Sequence, residues 1–189
     1  MSFTTGGLFR NESLKFIELY SDLKNWDLVS ENVNAQNLLQ ARTISTLKRT
    51  SSEIIGKLKT FTHDELNLMI ISAPQDQGYL LWLATCRRYK FIADFAMEAL
   101  SENYISLKSN ITYVDFDSFF NQKSEWHDEL LQIKPTTKVK LRQVLFKILR
   151  EADLLSEKTS IKPAIINPRL LDILSSSDLL YLPTFDIKK

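Results

Sequence analysis

Lys140, Gln143, Lys147 and Arg150 fall at i, i+3, i+7 and i+10, a spacing that lines side chains up along one side of an α-helix. Three cations and an amide in one stripe suit a polyanion. Adjacent phosphates are neutralised, condensed counterions are released, and an amide or guanidinium can reach base edges. From Lys134 to Arg150 the chain holds six Lys or Arg and no Asp or Glu, so local partners for such a face are missing. Lys140, Lys147 and Arg150 are candidate phosphate contacts, Gln143 and Arg142 candidate base readers, and Lys138 lies on the same stretch. Charge alone also fits a solvated helix face.

The element that must carry these residues runs over 137–155. At about 100° per residue, Leu141, Val144, Leu145, Ile148, Ala152 and Leu155 gather on one arc, which predicts a buried face. Val139 and Phe146 fall outside that arc and imply a second neighbour. Pro135 is expected to close the preceding element, and Thr136 or Thr137 to cap this helix. Downstream, the polar residues Glu157 to Ser160 separate two short segments, a pattern that predicts a β-hairpin carrying Lys158 and Lys162. Pro163 belongs at its edge because it has no amide to donate. Asn167 then caps a helix with Pro168 in its first position. A basic helix followed by a ribbon is the order of a winged-helix-like module, in which the helix enters a major groove and the ribbon touches the backbone.

Upstream the chain reads as a series of helices. Residues 1–10 look irregular, with Gly6-Gly7 a flexible joint, and Asn11 is placed to cap a helix to about Leu23. A second helix starts near Trp26, and residues 35–60 read as a third. That third segment has a surplus of four positive charges and many hydroxyls, so Arg42, Lys48 and Arg49 form a second candidate phosphate-binding surface. Thr62 and Glu65 make a capping box, which accounts for His63 between them without chemistry. Gln75 to Lys90 is apolar almost all round and should be the central helix. Its terminal Arg87, Arg88 and Lys90 suit the macrodipole as well as they suit a phosphate. Phe91 to Leu107 forms an amphipathic helix, and Thr112 with Asp115 opens another. Near the end, Leu179 to Leu182 should dock, and Asp186 to Lys189 should fray.

The 189 residues allow one generous domain or two small ones. Composition changes at 108–112, which divides the chain into an N-terminal helical bundle, 1–108, and a C-terminal winged-helix-like part, 109–189. The fold class is therefore mainly α, with one short β-hairpin. The net charge of +1 conceals an uneven distribution: residues 134–189 carry eleven cations and six anions, and residues 109–133 carry one and five. The single cysteine, Cys86, excludes an intrachain disulfide and fits a reducing cytoplasm. No stretch approaches the roughly 20 apolar residues needed to span a bilayer, and the N-terminus lacks a secretory pattern.

Catalysis finds little support. Asp115, Asp117, His127, Asp128 and Glu129 are the densest set of ionisable groups, and Asp115 is already explained as a helix start. There is no Walker loop, GxGxxG, HExxH or nucleophile elbow, and four glycines in all leave little for a nucleotide cradle. No cofactor or metal is expected.

Four pieces together resemble the BrxA family of bacteriophage exclusion (BREX) defence systems: Asn37-Leu38-Leu39-Gln40-Ala41-Arg42; Tyr79-Leu80-Leu81-Trp82-Leu83-Ala84; Phe119-Phe120-Asn121 with Glu125-Trp126-His127; and Leu141-Arg142-Gln143-Val144-Leu145-Phe146. The similarity runs from about Phe9 to about Leu182. It implies a small, non-enzymatic, helical accessory protein, encoded beside a methyltransferase and ATPases and able to bind DNA. The family has also been called an inner-membrane protein, and here this sequence departs from it. The resemblance fixes no site residues. The expected partners are double-stranded DNA and other BREX proteins. A rival reading makes the chain an assembly subunit that docks through Phe146, Val139 and the acidic 115–129 segment, leaving DNA to its partners. RNA binding by the helical bundle is a third.

Overall fold

The computed structural model describes residues 3–184 and is mainly helical. At its centre is α5 (Pro74–Arg88), in which every residue from Asp76 to Cys86 is buried. A helix apolar on all sides must be wrapped, and the chain does this from several directions. On one side lie α1 (Arg10–Leu23), α3 (Ile44–Leu58) and α4 (His63–Ile71), while α2 (Trp26–Gln36) packs on α1 and α3. After α5 the chain turns into α6 (Lys90–Phe95), which passes through a π-helical turn at Ala96–Ser101 into α7 (Glu102–Ile105).

Next come α8 (Tyr113–Ser124), α9 (Asp128–Leu131) and α10 (Pro135–Glu151). Phe116, Phe119 and Phe120 on α8 meet Phe91, and the first two also meet Phe95, with ring centroids 5.3 to 6.0 Å apart. The short helices α11 (Pro168–Ile173) and α12 (Ser176–Leu179) complete the described chain. Of the apolar 179–182 patch, Leu179 and Leu182 are buried, Tyr181 is partly so and Leu180 is exposed. The indole of Trp82 donates to the Tyr181 carbonyl at 2.7 Å, and the Ser101 hydroxyl donates to the carbonyls of Leu180 and Leu182. Asp186 to Lys189, expected to fray, lie outside the described residues.

Several helix starts follow from local chemistry. Asn25 caps α2, Thr43 caps α3 and Asn167 caps α11. Thr62 and Glu65 form the capping box of α4, and the Asp115 carboxylate accepts from both the amide and the hydroxyl of Thr112.

Other expectations give way to tertiary structure. Residues 35–60 are not one helix: α2 ends at Asn37, whose φ of 47° is left-handed and whose amide side chain exchanges hydrogen bonds with the Ala41 backbone. Asn tolerates that conformation, and Thr43 then starts a new helix. Asn11 does not cap α1. The helix starts at Arg10 after Phe9, at φ 59°, and the Leu8 amide just before it donates to Glu151 on α10. Gly6-Gly7 is no loose joint either. A Cβ on Gly6 would sit 2.7 Å from a Val144 methyl, so the absence of a side chain is what lets this strap lie flat on α10. Pro135 opens α10 rather than closing α9, because at the first position its missing amide removes no helical bond.

The predicted hairpin is reduced to a tight turn. Ser156 and Ser160 reverse the chain, with Thr159 at φ 63°, and Leu155 and Ile161 form an isolated bridge. Ser160 bridges instead to Asn110, and the Ile161 amide donates to Ser109, so pairing is divided between two short neighbours. Among the described residues no β-strand forms and no sheet results. Pro163, unable to donate, ends the pairing on that side.

Candidate nucleic-acid interface

The basic stripe stands on a helix that the core holds firmly. Leu141, Val144, Leu145 and Ile148 are buried as the wheel predicts, and Ala152 and Leu155 beyond the helix end are buried with them. Phe146 and Leu149 widen the buried face. Phe146 meets Tyr113 edge-on at 4.7 Å, which is the second neighbour that its position demanded. Buried there, it is not available as a docking surface, whereas Val139 remains partly exposed.

On the outer side Lys140, Gln143 and Lys147 are exposed and Arg150 is partly so. Lys140 has no carboxylate within ion-pair distance among the described residues. Lys147 donates to the Gly6 carbonyl at 3.1 Å and lies 3.6 Å from Glu151, and Arg150 lies 3.7 Å from Glu157, itself 90 % exposed. Exposed pairs at such distances are worth at most about 1 kcal/mol.

Lys138 and Arg142 are on the same helix but turn toward α8. Arg142 is hydrogen-bonded to the Asp117 carboxylate and stacks on Tyr113, 4.6 Å from its centroid. Lys138 donates to Asn121 at 2.8 Å and covers the Phe120 ring. Lys162 is paired with Asp153, while Lys158, on the tight turn, is exposed. Arg42, Lys48 and Arg49 are all exposed, but Lys48 and Arg49 stand in the first half of α3 and Arg42 just before its cap. The end of α3 is the part that approaches α10: Lys57 donates to the Gly7 carbonyl, and the strap of residues 6–9 lies between the two helices. The two predicted basic surfaces are therefore not merged into one stripe.

Arg10, which no helical spacing connects to α10, is brought beside Lys147 and Arg150 by the fold. Together with Asn11, Gln75 and the carboxylates of Glu12, Glu151 and Asp153 these line an open groove of about 690 Å³ between the start of α1 and the second half of α10. Behind the strap Lys57 is fully buried. Burial lowers its pKa to about 8 despite the opposing pull of Glu53, and its ammonium also covers the Phe9 ring.

The five ionisable residues of 115–129 do not converge. Asp115 is engaged by Lys108 and Thr112, Asp117 by Arg142 and Lys138, and His127 lies 3.7 Å from Glu129. Among the described residues no group of three or more His, Cys, Asp or Glu is placed to hold a metal ion, and no helix is long and apolar enough to cross a membrane.

The fold is thus that of a mainly helical protein in which a core-anchored helix, α10, carries a row of outward cations. The chain belongs to the BrxA family, whose model matches residues 1–178. It is similar to BREX protein BrxA of Escherichia coli O9:H4 (strain HS), 25 % identical over 150 residues covering 78 % of this chain and 69 % of that one. BREX protein BrxA of Bacillus cereus (strain H3081.97) is 22 % identical over 130 residues, 69 % of this chain and 65 % of that protein. The matches thus span about two thirds of the length of these relatives. A crystal structure of an uncharacterized protein from Magnetospirillum magneticum shares the fold, with a TM-score of 0.79 at 17 % identity over 94 % of this chain and 92 % of that one.

Proposed function

We propose that this chain is a non-enzymatic, DNA-binding accessory protein of a BREX phage-defence system, acting in the cytoplasm with other BREX proteins. Membership of the BrxA family supports the defence role. The observation that carries DNA binding is the outer face of α10. Three cations and Gln143 project from a helix whose other side is fully buried, and their carboxylate partners are absent or loosely held. A rigid row of weakly engaged cations can exchange those partners for phosphates at little loss. In this reading Lys140, Lys147 and Arg150 bind phosphates, Arg10 joins them across the groove, and Gln143 reaches a base edge. The turn carrying Lys158 takes the place of a wing, and 109–189 acts as the winged-helix-like part beside a bundle of 1–108.

The test is a fluorescence-anisotropy titration against a short duplex at several salt concentrations. Binding is expected to weaken steeply with salt. Replacing Lys140, Lys147 and Arg150 together by Ala should reduce the log–log slope by about 0.9 for each phosphate that is no longer neutralised. A triple variant that binds duplex like the parent removes α10 as the site.

A further inference from the structure

Between the end of α5 and the corner that joins α8 to α9 lies a cavity of about 240 Å³. Its floor is apolar, with Phe91 and Leu130 both buried. Charged side chains from four helices stand around it: Arg88 at the end of α5, Lys90 and Asp94 on α6, Lys123 on α8 and Glu129 on α9. Most of these are already paired. Lys90 lies 3.1 Å from Asp94, and Lys123 lies 2.6 Å from Glu98. Two are not balanced in this way. Arg88 shares the buried Glu53 carboxylate with Lys57, so that group carries one surplus positive charge. Glu129 has no Lys or Arg within ion-pair distance among the described residues, and its ionic neighbour is His127 of the same lining, at 3.7 Å.

Arg88 is also held in position. Its Nε donates to the Tyr89 hydroxyl at 3.2 Å, and that hydroxyl donates to Glu53 at 2.5 Å. Burial, together with Glu53, pushes the phenol pKa up to about 12, so it stays a donor. The guanidinium lies against α3 at Gly56, where a Cβ would come within 1.7 Å of Nη1. Glycine is unfavourable inside a helix, and here it makes room for this side chain. Neither terminal nitrogen of Arg88 makes a hydrogen bond among the described residues. That pair is the fork that takes the two oxygens of a carboxylate.

We infer that this cavity binds a free α-amino acid with an apolar side chain. The carboxylate takes the Arg88 fork, the ammonium takes Glu129, and the side chain lies on Phe91 and Leu130. One surplus charge of each sign beside an apolar floor matches a zwitterion, whereas a phosphate ester brings about two negative charges to a single uncompensated cation. The volume is below the roughly 300–1,000 Å³ of sites for drug-sized ligands, which limits the side chain to about one ring. The lining shares no residue with α10, so the inference goes beyond the DNA-binding reading and does not depend on it.

The test is calorimetric titration of the intact protein, without DNA, with L-phenylalanine as the probe. The dissociation constant should fall below about 1 mM. 3-Phenylpropionate lacks the ammonium and phenethylamine lacks the carboxylate, and each should bind at least about tenfold more weakly. Glu129→Gln changes an exposed side chain. It should reduce L-phenylalanine to the level of 3-phenylpropionate and leave 3-phenylpropionate itself unchanged. Gly56→Ala lies outside the cavity, and its methyl group displaces the guanidinium. Circular dichroism should show that variant folded, with both acids weakened alike and phenethylamine spared. A merely structural role for these residues would not separate the three probes. The inference is overturned if L-phenylalanine does not bind, if N-acetyl-L-phenylalanine binds as tightly as the free amino acid, or if Glu129→Gln binds all three probes like the parent.

Discussion

Arg87 and Arg150 are the same residue type near the ends of two helices, and their surroundings separate a structural cation from an exchangeable one. Arg87 donates to the carboxylates of Glu65 and Asp178 at 2.6 to 2.9 Å and to the Thr60 carbonyl, joining α4, α5 and α12. Burial works against its charge, but the two carboxylates more than offset this and hold it protonated more firmly than usual. Arg150 meets a single exposed carboxylate at 3.7 Å. A phosphate could take its place at Arg150 with little loss. At Arg87 it would leave two buried carboxylates uncompensated. Charge density in a sequence does not distinguish these cases, whereas the burial of the partner does.

The largest effect should follow from breaking the buried set. Arg87→Ala leaves Glu65, whose side chain is 1 % exposed, and Asp178 without their cation, and should lower unfolding free energy by about 3 to 5 kcal/mol in urea titrations. A loss below about 1 kcal/mol would mean that the network is no more structural than a surface pair.

Lys57 gives a second test, with a defined sign. Its folded pKa of about 8 lies below the ordinary value of 10.5, so between these the unfolded chain binds more protons and Lys57's contribution to stability rises with pH. Burial of Cys86 raises its thiol pKa and works the other way over part of the same range, so the comparison must be made against Lys57→Met. From pH 8 to pH 10 the parent should gain about 2 kcal/mol relative to that variant in urea titrations. A pH-independent difference would show that the buried ammonium is not strained by its surroundings.

The same contrast explains how much could be read from the chain itself. Local rules were legible: the capping boxes at Thr62 and Thr112, the all-round apolar α5, and the two faces of α10 each depend on residues within a few positions of one another. Long-range pairing was not. Nothing near Lys138 or Arg142 in sequence announces Asp117 and Asn121, about 20 residues upstream, and Arg10 reaches α10 only across the whole fold. The break at Asn37 and the hairpin that shrinks to a turn have the same origin. One turns on an Asn in the left-handed region, the other on Ser109 and Asn110 taking up bonds that a ribbon would have used.

The smallest effect makes the sharpest comparison, because it uses two arginines of one helix. Arg142 is tied to Asp117 and stacked on Tyr113, so Arg142→Ala removes a cation–π interaction and a charge-assisted hydrogen bond. Stability should fall by about 1 to 2 kcal/mol, and the salt dependence of duplex binding should hardly move. Arg150→Ala should do the reverse: unfolding within about 0.5 kcal/mol of the parent, and a salt slope shallower by about 0.9. Both variants stand on α10, so a general disturbance of that helix would move both measurements in both proteins. If the slopes fall equally, Arg142 leaves Asp117 when DNA binds, and the division between structural and exchangeable cations must be drawn between α5 and α10 rather than within α10.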